Sequence, residues 1–296
     1  MRALKSTAAL LSLFSSLSLF VSFGPVLGEL IATSPPLRFS YSLPGNINLK
    51  YERVSFTTSD GLILRGWFFP TTDVKAPAVI YTPATAKDQF QGLSLVEPLH
   101  RAGFQVLLFS YRGSGESEGN RFSFSYGARE SLDVDAAVRF LSQERGISKI
   151  AGIGHSAGAV SLILSAARNP DLDALVLAAP FATLDAAWQE NRPVFFPSTL
   201  YQWVFEQVER FKGFSRDEVR PVDVVHRIAP RSVLFIFGSA DRRIGTNQAR
   251  QLFLAAGEPK QAIWLPEANH NQVRFPGLDS LMPSIVEFLM LSLRDS

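Results

Sequence analysis

The feature that most constrains this chain is an alternation that begins at Tyr51. Six apolar runs, each four to six residues long, cover Ala78 to Tyr81, Gln105 to Ser110, Lys149 to Ile153, Ala174 to Ala178, Ser232 to Phe237 and Gln261 to Leu265. Helix-compatible stretches near residues 91–102, 126–144, 157–168, 245–256 and 278–293 lie between and after them. Runs that are apolar throughout suit strands covered on both faces. Strand and helix in alternation predict an α/β fold, a mostly parallel sheet with helices on both sides. Upstream, Tyr51 to Thr58 and Leu62 to Phe69 flank Ser59-Asp60-Gly61, a turn signal, and are expected to pair as an antiparallel hairpin. The rhythm breaks between Phe181 and Arg231, where aromatic residues crowd together and prolines stand at 193, 197, 221 and 230. This stretch reads as a cap inserted over the sheet edge, the plainer alternative being a long irregular crossover. One domain over residues 51–296 is expected, with the cap at about 181–231.

The chain has 296 residues, 46% hydrophobic and 19% charged, enough to bury a sizeable core and too apolar for wholesale disorder. Its 29 basic and 27 acidic residues become 27 of each sign once Arg2 and Lys5 are set apart. The densest basic clusters are pairs such as Arg242-Arg243, so a nucleic-acid partner is not expected. The absence of cysteine excludes disulfides, thiolate catalysis and iron–sulfur ligation. Only His100, His155, His226 and His270 are available, which argues against a histidine-rich metal site.

Residues 1–28 begin with Arg2 and Lys5, continue apolar from Ala8 to Phe23, and end in Val26-Leu27-Gly28. That order is the order of a secretory signal peptide, with cleavage near Gly28 and export to the periplasm or medium. The 23 residues from Ser6 to Gly28 carry no charge, so the segment is also long enough to remain as a membrane anchor. Residues 29–50, with Thr33-Ser34-Pro35-Pro36, read as a linker.

The chemistry centres on Gly154-His155-Ser156-Ala157-Gly158, between an expected strand and an expected helix. A G-x-S-x-G turn in that setting lifts a serine hydroxyl above the sheet. A serine needs an imidazole to take its proton and a carboxylate to orient the imidazole, in the chain order Ser, acid, His. His270 follows the last strand in a short loop, whereas His226 reads as part of the cap's return path. Asp241 follows the Ser232 strand and is preferred over Asp185 and Asp223; Asp133 and Asp135 lie within a helix and are expected to be solvated or capping. An oxyanion hole needs two backbone N–H donors. One is expected from Ala157. The other should come from the loop after Tyr81, where Pro83 has no N–H, with Ala84 the first choice and Thr85 the second.

Taken together, these segments resemble the α/β-hydrolase superfamily, and within it the small-cap serine hydrolases. The resemblance rests on Asp60-Gly61 with Gly66-Trp67, Tyr111-Arg112-Gly113-Ser114-Gly115-Glu116-Ser117, the Ser156 pentapeptide, Gly238-Ser239-Ala240-Asp241 and Ala268-Asn269-His270-Asn271, in family order over about residues 50–295. It implies a central sheet of about eight strands, a triad of Ser156, Asp241 and His270, and no metal or organic cofactor. Two positions depart from the pattern: Thr82-Pro83 stands where relatives usually carry His-Gly, and Arg242-Arg243 where an apolar residue and proline are common. Arg112 is expected to tie loops around the site. The expected activity is hydrolysis of a carboxylic ester or thioester with an apolar acyl or aryl group. An aminopeptidase on short peptides is the alternative, with Glu190, Glu206 and Glu209 as candidates for holding the substrate amine. A catalytically silent binding protein that keeps the fold is the alternative from another class.

Overall fold

The computed structural model describes residues 24–37, 42, 43, 45, 47–274 and 277–293. Most of the expected leader, residues 1–23, lies outside the described residues. Residues 24–32, divided in the sequence reading between leader and linker, form one helix, α1.

Eight strands make one sheet: β1 (Glu52–Thr57), β2 (Ile63–Phe69), β3 (Ala78–Thr82), β4 (Gln105–Ser110), β5 (Ile150–His155), β6 (Ala174–Ala178), β7 (Ser232–Gly238) and β8 (Lys260–Leu265). Their spatial order is β1-β2-β4-β3-β5-β6-β7-β8. β1 and β2 form the hairpin expected around Asp60-Gly61, and β2 also runs antiparallel to β4. All other pairings are parallel. Five helices follow the expected positions: α2 (Leu93–Arg101), α3 (Glu130–Arg139), α4 (Ala157–Ala166), α7 (Thr246–Ala255) and α8 (Met282–Ser292). Between β6 and β7 the chain forms α5 (Leu184–Glu190), α6 (Ser198–Lys212) and three short 3₁₀ turns.

Burial explains the pattern read from the sequence. The central strands β3, β4, β5 and β6 are buried at every position, because helices cover both faces. Alternate residues feed two separate cores. Ile80, Leu107, Phe109, Leu175, Leu177 and Phe235 pack under α3, α4 and α7. Val79, Val106, Leu108, Ile153, Val176 and Ile236 pack under α2 and α8. The edge strand β1 buries only Val54 and Phe56 in an alternating pattern, as a strand covered on one face should.

One ion-paired staple joins the hairpin to a helix. Arg112, just past β4, donates to Asp133 through its backbone N–H (2.9 Å) and its Nε (2.8 Å), and to Asp60 through Nη1 (2.6 Å). The expectation that Asp133 is solvated is therefore corrected: the α3 face that carries it lies against the end of β4, and its side chain is fully buried. Asp135, on the other side of α3, takes Arg168 (2.6 Å) and Ser165 (2.6 Å). Arg112 therefore ties the β1–β2 turn to α3, and none of Arg112, Asp60 and Asp133 lines the pocket beside Ser156, so the tie is not the one expected around the site.

A buried carboxylate that loses its cation is far costlier than the pair is favourable. Arg112→Met should lower unfolding free energy by about 3–5 kcal/mol in urea titration, and adding Asp133→Leu should restore most of it. Asp60 titrates separately. The Arg112 side chain holds its carboxyl down to about 2. Because the folded value lies below the unfolded one, this contribution is present above the ordinary carboxylate range and fades as pH falls through about 2. The melting-temperature gap between wild type and Asp60→Asn should stay constant at neutral and mildly acidic pH and close towards the acid end.

Candidate active site

Ser156 occupies the turn between β5 and α4 with φ 54° and ψ −122°. A non-glycine residue keeps such a left-handed φ only when its surroundings impose it, at a cost of about 1–3 kcal/mol. Here the Ser156 N–H donates to the Ala178 carbonyl at the end of β6 (2.8 Å). The two flanking glycines are sterically required. A Cβ on Gly154 would collide with Thr82 Oγ1 and the Ala159 nitrogen, and one on Gly158 with the carbonyl oxygens of Thr82 and Pro83. Thr82, one of the departures from the family pattern, braces this turn: its buried hydroxyl donates to the Gly158 carbonyl (3.0 Å).

The loops after β7 and β8 bring the other two side chains to the same end of the sheet. His270 Nδ1 lies 2.8 Å from Asp241 Oδ2, and His270 Nε2 lies 3.1 Å from Ser156 Oγ. A carboxylate accepts, so Nδ1 carries the proton and Nε2 presents its lone pair to the serine hydroxyl. All three residues are buried. The two loops are also bound to each other, through the Ala240 N–H to the Ala268 carbonyl (3.1 Å) and the Glu267 N–H to Ser239 Oγ (2.8 Å). Burial alone would raise the Asp241 carboxyl, but the His270 N–H and the backbone N–H groups of Ile244 and Arg243 outweigh it and hold the pKa below its ordinary value. The second departure from the family pattern contributes here. Proline could not donate, whereas the Arg243 N–H reaches Asp241 Oδ1 at 2.9 Å.

The remaining candidates fall elsewhere. Asp185 is paired with Arg216 (3.1 Å) and Asp223 with Arg220 (2.5 Å), both in the cap. His226 is exposed. His155 is buried beside His270, whose carbonyl its Nε2–H meets at 3.3 Å, and burial pushes its pKa down to about 3, so it is neutral. Ala157 is the first residue of α4, where backbone N–H groups have no intrahelical carbonyl to meet. Ala84 needs correcting as an open donor: it lines the pocket, but its N–H is donated to Gln91 Oε1 (2.8 Å). Thr85 also lines the pocket, and its N–H takes part in no hydrogen bond among the described residues.

Ser156 and His270 open into a pocket of about 310 Å³. One wall comes from the cap: Phe181, Leu184, Trp188 and Phe205, the last two stacked with centroids 3.8 Å apart. Against this wall, with the Tyr126 ring 5.4 Å from that of Trp188, stand residues that the sequence reading missed. Tyr126 stands in a left-handed turn (φ 57°), where Glu130 clamps the backbone on both sides through the N–H groups of Ser125 (3.0 Å) and Gly127 (2.8 Å). Its hydroxyl donates to the Glu29 carboxylate, and Glu29, Ala32 and Thr33 of the amino-terminal segment line the pocket. The one available signal was the charge of Glu29 directly after an uncharged stretch. None of Glu190, Glu206 and Glu209 lines this pocket, and Glu209 is held by Arg216 (2.6 Å). Among the described residues no group of acidic or histidine side chains could hold a metal ion.

Comparison with known proteins agrees with this architecture. The family described as serine aminopeptidase, S33, matches residues 90–223, a span that holds Ser156. An uncharacterized protein of Mycobacterium tuberculosis is 31% identical over 235 residues, covering 78% of this chain and 76% of the relative. The α/β-hydrolase domain-containing protein WAV2 of Arabidopsis thaliana is 32% identical over 275 residues, covering 86% of this chain and 84% of WAV2. The chain belongs to the α/β-hydrolase superfamily. Esterase Pf2001 of Pyrococcus furiosus has the same α/β-hydrolase fold, with a TM-score of 0.72 at 21% identity over 88% of this chain and 98% of the esterase.

The tight packing around the α/β-hydrolase turn makes a direct test of its geometry. Gly158→Ala forces a methyl group against two carbonyl oxygens and should destabilise the fold by about 1–3 kcal/mol in urea titration. Ala159→Gly, one residue on inside α4, should cost about 1 kcal/mol or less beyond the methyl it removes.

Proposed function

We propose that this hydrolase cleaves a carboxylic ester or thioester with an apolar acyl or aryl group, through an acyl-enzyme on Ser156. The observation that carries the reading is the unbroken chain from Asp241 through His270 to Ser156 Oγ. In the first half-reaction Ser156 Oγ attacks the carbonyl carbon while His270 Nε2 takes its proton. The tetrahedral intermediate then collapses, the bond to the leaving oxygen or sulfur breaks, and His270 returns the proton to that atom. Water repeats the sequence on the acyl-enzyme and frees the acid. Asp241, kept ionised by its three N–H donors, fixes the tautomer and stabilises the imidazolium. Ala157 supplies one donor to the developing oxyanion. With the Ala84 N–H held by Gln91, Thr85 is the second.

Substrate class follows from the cap wall, since Phe181, Leu184, Trp188 and Phe205 favour an apolar group beside Ser156. The ester reading is also supported by the fold neighbour from Pyrococcus furiosus, itself an esterase. Aminopeptidase activity loses the three glutamates once considered for it. Glu29 is the carboxylate in the pocket, and the Tyr126 hydroxyl already occupies one of its oxygens.

A fluorophosphonate mimics the tetrahedral intermediate and reports an activated serine whatever the substrate. It should label Ser156 in the wild type, and the label should vanish in both Ser156→Ala and His270→Ala. Absence of label on folded wild-type protein would overturn the serine mechanism and favour a silent binding protein. On an ester that the wild type turns over, Asp241→Asn should cut kcat on the order of 10⁴-fold while leaving KM nearly unchanged. A preference for aminoacyl amides over esters and thioesters in the same assay would overturn the ester reading.

A further inference from the structure

Helix α1 has an unusual division of faces. Val26 and Leu30 are buried, as is Thr33 just past the helix, and both apolar side chains belong to the cluster that also holds Tyr126, Trp188 and Phe205. Thr33 is tied down further, since Lys212 Nζ donates to its hydroxyl (2.6 Å), and Arg121 donates to the Pro35 carbonyl (2.9 Å). A surface helix docked in this way should turn polar residues outwards. Instead Leu27 and Ile31, one turn apart, are 58% and 60% exposed. The loop between α5 and α6 adds Val194 and Phe195, 97% and 87% exposed. Both elements border the same pocket, α1 through Glu29 and Ala32 and the cap through Asn191. The wall of that pocket also carries Lys87, Arg243 and Arg274, and none of the three is ion-paired among the described residues.

Apolar side chains beside unpaired cations form a surface suited to lipid acyl chains and anionic headgroups. What leads into α1 points to the same occupant, because the chain from Ser6 onwards has no charge until Glu29. The bond after Gly28, where cleavage was expected, lies inside the helix, with buried Val26 on one side and buried Leu30 on the other. Cutting there would strip an anchor from the pocket wall and put a new ammonium group beside it.

We propose that α1 stays in the mature protein as one wall of the pocket, and that the face formed by Leu27, Ile31, Val194 and Phe195 docks on a lipid bilayer. Resting on the ester-hydrolase reading, this makes the substrate an ester or thioester whose apolar group resides in the membrane and enters the pocket from it. The leader then acts with this face to hold the pocket mouth at the lipid surface.

The test uses the full chain. Protein isolated from membranes should retain residues 1–28 by intact mass, and a start near Glu29 would overturn the proposal. Reconstituted into phosphatidylcholine–phosphatidylglycerol vesicles, it should hydrolyse both a long-chain ester embedded in the bilayer and a water-soluble short-chain ester. Leu27→Asp/Ile31→Asp and Val194→Asp/Phe195→Asp should each lower turnover of the embedded ester about tenfold, with soluble-ester turnover within about twofold of wild type. Unchanged turnover of the embedded ester, or an equal fall on both esters, would overturn docking. Fluorophosphonate labelling of the same samples separates the two readings. Label on Ser156 without a lipid-specific effect removes the docking proposal alone, while no label removes the serine mechanism beneath it.

Discussion

The site depends on one strained turn. Ser156 can hold its left-handed φ only because Thr82, Ala178 and two glycines leave its backbone no alternative. The strain is offset by the sheet, since the contacts that impose it come from β3 on one side of β5 and β6 on the other. A turn bound to a single neighbouring strand could relax by sliding along it. Held between two, the serine hydroxyl has one direction to point, and His270 and Asp241 can be arranged around a fixed atom.

The parallel sheet delivers those partners by geometry. Strands that run the same way end at the same edge, so the loops after β5, β7 and β8 meet there although Ser156 and His270 are 114 residues apart. Each loop is braced independently of the triad. Thr82 braces the first, and backbone bonds between residues 238–241 and 265–268 brace the other two. The N–H groups of Arg243 and Ile244 hold Asp241 Oδ1, which leaves Oδ2 for His270. The preference for one tautomer at His270 thus begins in the backbone of the β7 loop.

Much of this was legible in the sequence because it follows from local chemistry. Fully apolar runs mark strands covered on both faces, and a strand end marks the rim where polar side chains can meet, which favours Asp241 and His270 over Asp185, Asp223 and His226 as partners of Ser156. The three side chains do meet. Side chains that depend on distant packing were not legible. Asp133 looked like a surface residue of a helix, and only the arrival of Arg112 from the end of β4 accounts for a buried carboxylate at that position. Ala84 was a sound choice by its place in the loop, yet seven residues on Gln91 folds back over its N–H. Glu29 was hidden for a different reason. The apolar stretch before it reads as a leader, and nothing in a leader's composition says that its end will fold against a cap more than 150 residues away.

That last contact changes what the cap is. Trp188, Phe205, Val208 and Phe214 share one buried cluster with Val26 and Leu30. Lys212 shows how much the cap has adapted to this neighbour. Its ammonium group is buried, burial pushes its pKa down to about 8, and its hydrogen-bond partners are Thr33 from the amino-terminal segment and the Phe124 carbonyl, with the Tyr126 ring 5.0 Å away. A buried lysine needs such acceptors, because an unpaired buried cation is severely destabilising. In this structure Thr33 is packed into the cap, and the pocket wall is built jointly from the amino-terminal segment and the inserted cap.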